Sequence, residues 1–192
     1  MKYIPSVNIE QTVFDKDSYI ITQNAKCVVG NVINAFNSGI HSFNIIGSYG
    51  TGKSNFILAL QYSLDNSNYG LFKNKGQFNG FSKFRFVPIT GDYASISKVV
   101  SKYLPDMDLY PNVFGQLNKF YEATVAQEEF LFIVIDEFGK ILEYAAKNNP
   151  EKELYQIQKL AEFVNDPTKN IILLTTLHQN FSSYAKGLST SQ

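Results

Sequence analysis

The sequence predicts an α/β domain, a three-layer αβα sandwich built around a mostly parallel sheet. Short apolar runs alternate with stretches of helical period along the chain, the pattern that puts helices on both faces of such a sheet. The run FLFIVI at 130–135 is continuously apolar and rich in branched side chains, which suits a strand covered on both faces. The 192 residues, 44% of them hydrophobic and 18% charged, suffice for one domain with its own core.

Residues 1–21 read as an extended leader, with DKDSY at 15–19 as a turn. A helix follows from Thr22, a good N-cap, with Val28, Val29, Val32, Ile33 and Phe36 at helical spacing and Asn37, Ser38 and Gly39 to stop it. SFNII at 42–46 is a short buried strand that runs into GSYGTGKS at 47–54. The next helix turns Phe56, Ile57, Leu60 and Leu64 inward. Residues 65–83 are rich in Gly, Asn and Lys without a period, the signature of a long loop with room for a short hairpin.

FRFVPIT at 84–90 is the second strand, although Pro88 conflicts with a central position in a sheet. Helices are expected over 96–104 and 113–127, separated by two prolines. After the 130–135 strand, Ile141, Leu142 and Ala145 mark a helix ending near KNNP. A further helix over 151–165 faces Leu154, Ile157, Leu160, Ala161 and Val164 inward, and Asp166 and Pro167 break it. NIILLTT at 170–176 is the last strand; the remainder is polar and short.

Composition narrows the function. Seventeen basic and 17 acidic residues give zero net charge, which argues against a broad basic footprint for nucleic acid. Lys73, Lys75 and Lys83 make at most a modest local patch, better read as a solvated loop surface, so DNA is a possible partner that the sequence does not show. One cysteine, Cys27, excludes a disulfide framework and a thiolate zinc cluster. No apolar run reaches a membrane-spanning length and no secretion signal opens the chain, so a cytoplasmic setting is expected. Arg85 is the sole arginine.

The segment at 47–54 carries the chemistry. Gly47, Gly52, Lys53 and Ser54 match G-x-x-x-x-G-K-[ST], with a buried strand before and an amphipathic helix after. Such a loop must curl so that successive backbone N–H groups point at a phosphate, which Gly47, Gly50 and Gly52 permit. Ser48, Tyr49, Thr51 and Asn55 complete the expected nucleotide contacts, and Tyr49 is free to face a partner or a base. The helix N-terminus adds its positive end. Lys53 supplies a charge for the β- and γ-phosphates, and the Ser54 hydroxyl is a ligand for Mg²⁺.

Asp136 and Glu137 end the FLFIVI strand. Asp136 is placed to hold Mg²⁺ through a water, and Glu137 to polarise a water for in-line attack on the γ-phosphate. The bland alternative is an acidic pair at the start of the next helix. Thr176, at the end of the last strand, is the first choice for a polar sensor of the γ-phosphate, with His178 and Asn180 as alternatives. His41 reads as a junction residue without chemistry.

Together, GSYGTGKS and FLFIVIDEFGK resemble the additional-strand, catalytic-glutamate division of P-loop NTPases, which includes the AAA+ and STAND ATPases. The likeness runs over residues 22–188. TTLHQNFSSYAKGLSTSQ further resembles a signature of large bacterial ATPases of anti-phage and DNA-associated systems. The resemblance implies ATP and Mg²⁺ as ligands, and ATP hydrolysis coupled to a homo-oligomer or protein partner. It assigns Lys53 and Ser54 to phosphate and metal, Asp136 to metal, Glu137 to water activation, and Thr176 or Asn180 to sensing. It also places the last strand between the first and third.

Domains of this kind usually carry a fifth core strand and a helical lid with a sensing Arg, and neither is visible in the 16 residues beyond Thr176. The chain is therefore expected to be the N-terminal part of a longer protein, and slow in isolation, since an arginine finger is worth ~10³–10⁵ in rate. A nucleotide-dependent switch with incidental hydrolysis is the runner-up. A small-molecule kinase is disfavoured by the single Arg, GTP by the absence of an Asn-Lys-x-Asp motif, and a plain scaffold would leave GSYGTGKS unexplained.

Overall fold

The structure is a computed structural model that describes residues 7–66, 70–71, 78–104 and 112–185. Its elements run α1 (Gln23–Asn37), β1 (Ser42–Ile46), α2 (Lys53–Asp65), β2 (Lys83–Thr90), α3 (Ile96–Ser101), α4 (Val113–Ala126), β3 (Glu129–Asp136), α5 (Gly139–Lys147), α6 (Pro150–Val164), β4 (Ile171–Leu177) and α7 (Phe181–Ala185). The strands form one parallel sheet in the order β1-β4-β3-β2. The last strand thus lies between the first and third, as expected.

Register brings the chemistry to one rim. Thr90 is level with Asp136, Ile135 with Thr175, and Ile45 with Thr176. The carboxyl ends of all four strands therefore open on the same side, where ligands bind in open parallel sheets.

Two apolar layers cover the sheet. On one face, α1 and α2 pack Val29, Phe36, Ile57 and Leu60 against Phe130, Phe132 and Val134 of β3. On the other, α3 to α7 pack Val100, Leu117, Ile141, Leu160 and Tyr184 against Leu131, Ile133 and Ile135. Alternate residues of β3 are thus buried on opposite faces, and 130–135 are all at most 1% exposed. Burying each such side chain stabilises the fold by roughly 1.5–3 kcal/mol.

Local signals set the boundaries. Thr22 caps α1 through its hydroxyl, which accepts from Ala25 N at 3.1 Å. Asn112 caps α4, accepting from Gly115 N at 2.7 Å. Pro88 lies in β2, which among the described residues pairs only with β3 and so is an edge strand. That position resolves the conflict read from the sequence, because a missing N–H costs nothing on the open side.

Four expectations are revised. The leader is not extended throughout: Asn8 turns it, its side chain accepting from Glu10 N at 2.8 Å, and Thr12 N donates to Asn8 O at 2.8 Å. α3 stops at Ser101 and ends in turns, because Leu104 precedes a proline, which disfavours helical backbone. The polar loop after α2 carries two buried anchors, Leu71 and Phe78, the latter ringed by Phe36, Phe84, Phe130 and Phe132. The polar tail contains a short helix, α7, held by Tyr184. The Lys73 and Lys75 positions lie outside the described residues.

Candidate functional site

The turn at 47–54 joins β1 to α2 and sits beside the end of β4, where Gly47 N donates to Leu177 O at 3.1 Å. Gly50 and Gly52 have φ of 77° and 84°, the left-handed region that a Cβ disfavours. A Cβ on Gly47 would come within 2.9 Å of Thr51 Oγ1, and Thr51 in turn donates to Ser48 O at 2.8 Å. The loop is thereby folded as a tight cradle. Ser48, Tyr49, Gly50, Thr51, Gly52 and Asn55 are exposed, while Lys53 and Ser54 are half-buried.

Lys53 points back into the cradle. Its ammonium donates to Gly47 O at 2.5 Å and Ser48 O at 3.0 Å, and lies 3.3 Å from His178 Nδ1. Burial pushes its pKa down, opposed by the Asp136 and Glu137 carboxylates. Two carbonyls and an imidazole are neutral partners for a cation, so an anion placed in the loop would be the stronger one.

Ser54 brings the loop to β3. Its hydroxyl donates to Asp136 Oδ2 at 2.6 Å across 82 positions of sequence. Asp136 is 4% exposed, and its other oxygen accepts from Glu137 N at 3.0 Å and from the Thr176 hydroxyl. Thr176 is wholly buried and also accepts from Glu137 N at 3.0 Å. It is thus aimed at Asp136. Thr175 turns the other way, toward Asn44 of β1. His178 is half-buried beside Lys53, and Asn180 is exposed with no side-chain hydrogen bond to the site among the described residues.

Glu137 has φ of 55°, a rare conformation for a side chain with a Cβ. The neighbouring contacts fix it there. Phe138 N donates to Thr176 O at 3.0 Å, and Gly91 N donates to Asp136 O at 2.7 Å. A Cβ on Gly91 would lie 2.5 Å from Glu137 O, so only glycine lets the end of β2 approach this closely. The Glu137 carboxylate is ion-paired with Lys140, one helical turn on. That pairing is the main cause of the raised pKa of Lys140.

Gly91 and Lys140 were not read from the sequence. Lys140 was within reach of sequence reasoning, being three residues from Glu137 at the start of a helix. Gly91 had only a weak signal, a glycine just past a strand. The stacking of Tyr49 on His178, with centroids 3.6 Å apart, had none. Arg85 lies five residues before the rim on β2 and pairs with Glu129 at 2.6 Å. At about 3.3 Å per residue that is some 16 Å from the rim.

The residues fit a hydrated Mg²⁺ in their donor chemistry. Ser54 and Asp136 offer oxygens only, and Mg²⁺ commonly takes one or two protein groups, substrate phosphates and waters. Among the described residues, no three His, Cys, Asp or Glu side chains form a ready-made cage, and no helix is long and apolar enough to cross a membrane.

Similar structures share this architecture. The Aeropyrum pernix ORC2 protein in its ADPNP-ADP complexes superposes with a TM-score of 0.55 at 15% identity, covering 94% of this chain and 48% of that one. Its ADP form gives 0.54 at 16% identity, covering 93% and 49%. C. elegans PCH-2 gives 0.48 at 19% identity, covering 92% and 42%. The chain spans about half the length of the solved structures it matches. No protein-family model and no curated protein matches it. The fold is a parallel α/β sandwich of the kind seen in the two Aeropyrum pernix ORC2 structures.

Proposed function

We propose that this chain is a Mg²⁺-dependent ATPase domain of the AAA+ and STAND kind. The observation that carries the reading is the 2.6 Å hydrogen bond from Ser54 to Asp136, which joins the phosphate-binding turn to the acidic strand end. A chance glycine-rich turn has no reason to meet that carboxylate.

Gly47, Ser48, Tyr49, Gly50, Thr51, Gly52 and Asn55 line the loop whose backbone N–H groups would cradle the phosphates. Lys53 would exchange its two carbonyl partners for phosphate oxygens. Ser54 and Asp136 would hold Mg²⁺, which when bound neutralises charge on the β- and γ-oxygens. Glu137 would take a proton from the attacking water. Thr176 orients Asp136 by donating to it, and Asn180 remains a sensor candidate on the exposed turn after β4.

Two observations favour slow turnover by the chain alone, and so support a nucleotide-dependent switch as a second reading. Lys140 occupies the Glu137 carboxylate, and the sole Arg lies at the far end of the sheet. Coupling to a homo-oligomer or protein partner is supported by the resemblance of GSYGTGKS and FLFIVIDEFGK, and a DNA-associated anti-phage assembly by that of 175–192 alone. Residues 186–192 lie outside the described set.

The test is MgATP affinity and phosphate release for the wild type, Lys53→Ala and Glu137→Gln. Lys53→Ala should lose binding. Glu137→Gln should bind ATP and lose turnover by about 10²-fold or more. Wild-type release at background would favour the switch, and unchanged binding by Lys53→Ala would end both readings.

A further inference from the structure

Two contacts converge on His178 from separate elements. Its Nδ1 lies 3.3 Å from the Lys53 ammonium at the start of α2. Its ring lies flat under Tyr49, in the phosphate loop, at 3.6 Å between centroids and 18° between planes. Tyr184 packs so closely on Gly139 that a Cβ there would fall 2.4 Å from the hydroxyl. The rings of Tyr49, His178 and Tyr184 line a cleft of about 300 Å³ together with Lys140 and Glu143.

Among the described residues, Tyr49 makes its ring contact by stacking on His178. It is 78% exposed, sits between Ser48 and Gly50 in a glycine-rich turn, and meets the protein through its face on His178. An exposed aromatic ring loses conformational freedom when it is fixed, and the stack ties the loop to the turn after β4. A lone pair on Nδ1 accepts from an ammonium only in one tautomer and one ring orientation. The stack sets the plane of the ring.

We propose that Tyr49 and His178 form a positioning pair that pre-shapes the phosphate loop. Tyr49 ties the loop to the β4–α7 turn, and His178 holds the Lys53 ammonium over the cradle in which phosphate would bind. The pair acts through Lys53 and does not itself touch the reacting atoms. This inference rests on the nucleotide-binding reading. It goes beyond that reading by giving His178 a task separate from sensing, and Tyr49 one separate from contacting a base or a partner.

The experiment measures MgATP and MgADP affinity of the full 192-residue chain by calorimetry, alongside NMR titration of its two histidines. Tyr49→Ala and His178→Ala should each weaken both nucleotides by about tenfold, the scale of one hydrogen bond to a charged group. Tyr49→Phe should restore what Tyr49→Ala loses, because the stack needs the ring and not the hydroxyl. His178→Phe, which keeps a flat ring without the acceptor, should stay weak, and it stands in for His178→Ala if that variant fails to fold.

The second readout tests the Lys53–His178 contact itself. Lys53→Ala should raise the pKa of His178 by removing a cation from a group that also faces Asp136, Glu137 and Lys140, while His41 stays unmoved. Unchanged affinity in Tyr49→Ala and His178→Ala, or an unmoved His178 titration in Lys53→Ala, overturns the proposal. Should Lys53→Ala bind nucleotide as the wild type does, the nucleotide-binding reading fails too. Loss of binding in Lys53→Ala with none in the two ring variants removes the positioning pair alone.

Discussion

Asp136 shows how much a single buried carboxylate depends on its neighbours. Three donors converge on it: the Ser54 hydroxyl, the Thr176 hydroxyl and the Glu137 amide. Buried charges survive only when so satisfied. Thr176→Val, which keeps the shape and removes the hydroxyl, should therefore destabilise the fold by about 1–3 kcal/mol, measured by urea denaturation. It should also lower turnover, because Glu137 N loses an acceptor. A stability equal to the wild type would show that Asp136 does not need this donor. Gly91 acts at the same scale through space. Gly91→Ala would press a methyl group against Glu137 O, where 2.5 Å is available. The expected cost is about 1–3 kcal/mol, with turnover falling more than ATP affinity. Equal losses of binding and turnover would show that the strain reaches the phosphate loop rather than Glu137.

Among the elements, the edge strand and the α1–β1 junction carry the most information. Pro88 fits β2 only because β2 is at the edge, and there it removes one donor from an exposed row. The junction is held by Asn165 at the end of α6. Its Oδ1 accepts from His41 N at 2.8 Å and its Nδ2 donates to Ser42 Oγ at 2.8 Å. His41 Nδ1 meets Val164 O at 3.0 Å, and the ring packs on Phe36. This is the structural role expected of His41. Asn165→Ala should cost about 1–3 kcal/mol by leaving His41 N without its partner, and leave nucleotide affinity intact. A parallel loss of affinity would mean that the junction transmits to the loop at the other end of β1.

At the scale of the whole molecule, pH reports on both histidines. Burial holds His41 and His178 below the ordinary imidazole value of 6.5, and Lys53 adds to this for His178. The unfolded chain then binds more protons than the folded one below pH 6.5, so stability rises with pH through that range and is lost on acidification. The carboxylate of Glu10, which accepts from Thr90 N at 2.6 Å, is held below its ordinary 4.5 and contributes its own loss only at lower pH. Urea midpoints at about pH 7.5 and 5.5 should therefore fall on acidification, and His41→Gln should shrink the fall. A midpoint that is flat or higher at the acid end would contradict the burial of these rings.

Most of the architecture was legible in the residues because it rests on local rules. β1 begins and ends where SFNII does, and Thr22 caps the first helix. The segments carrying GSYGTGKS and DE follow strands directly, and the order of apolar runs implied a parallel sheet. What the sequence hid was long-range or irregular. Phe78 lies in a stretch too polar to announce a core residue, and α7 is too short for a period to show. Gly91 is needed only because Glu137 has a left-handed backbone beside it, a conformation no spacing reveals.

The sequence by itself marked out the candidate residues for the proposed phosphate and metal site, since a glycine-rich turn and an acidic strand end are each written in consecutive positions. Only the tertiary structure decided that they meet. Inserting β4 between β1 and β3 sets the level of every strand end, and so puts Ser54 on Asp136, His178 beside Lys53, and Tyr49 on His178. The physical reason is that contacts across 82 or 125 positions depend on sheet register and helix packing, which are properties of the whole core and not of any window of residues.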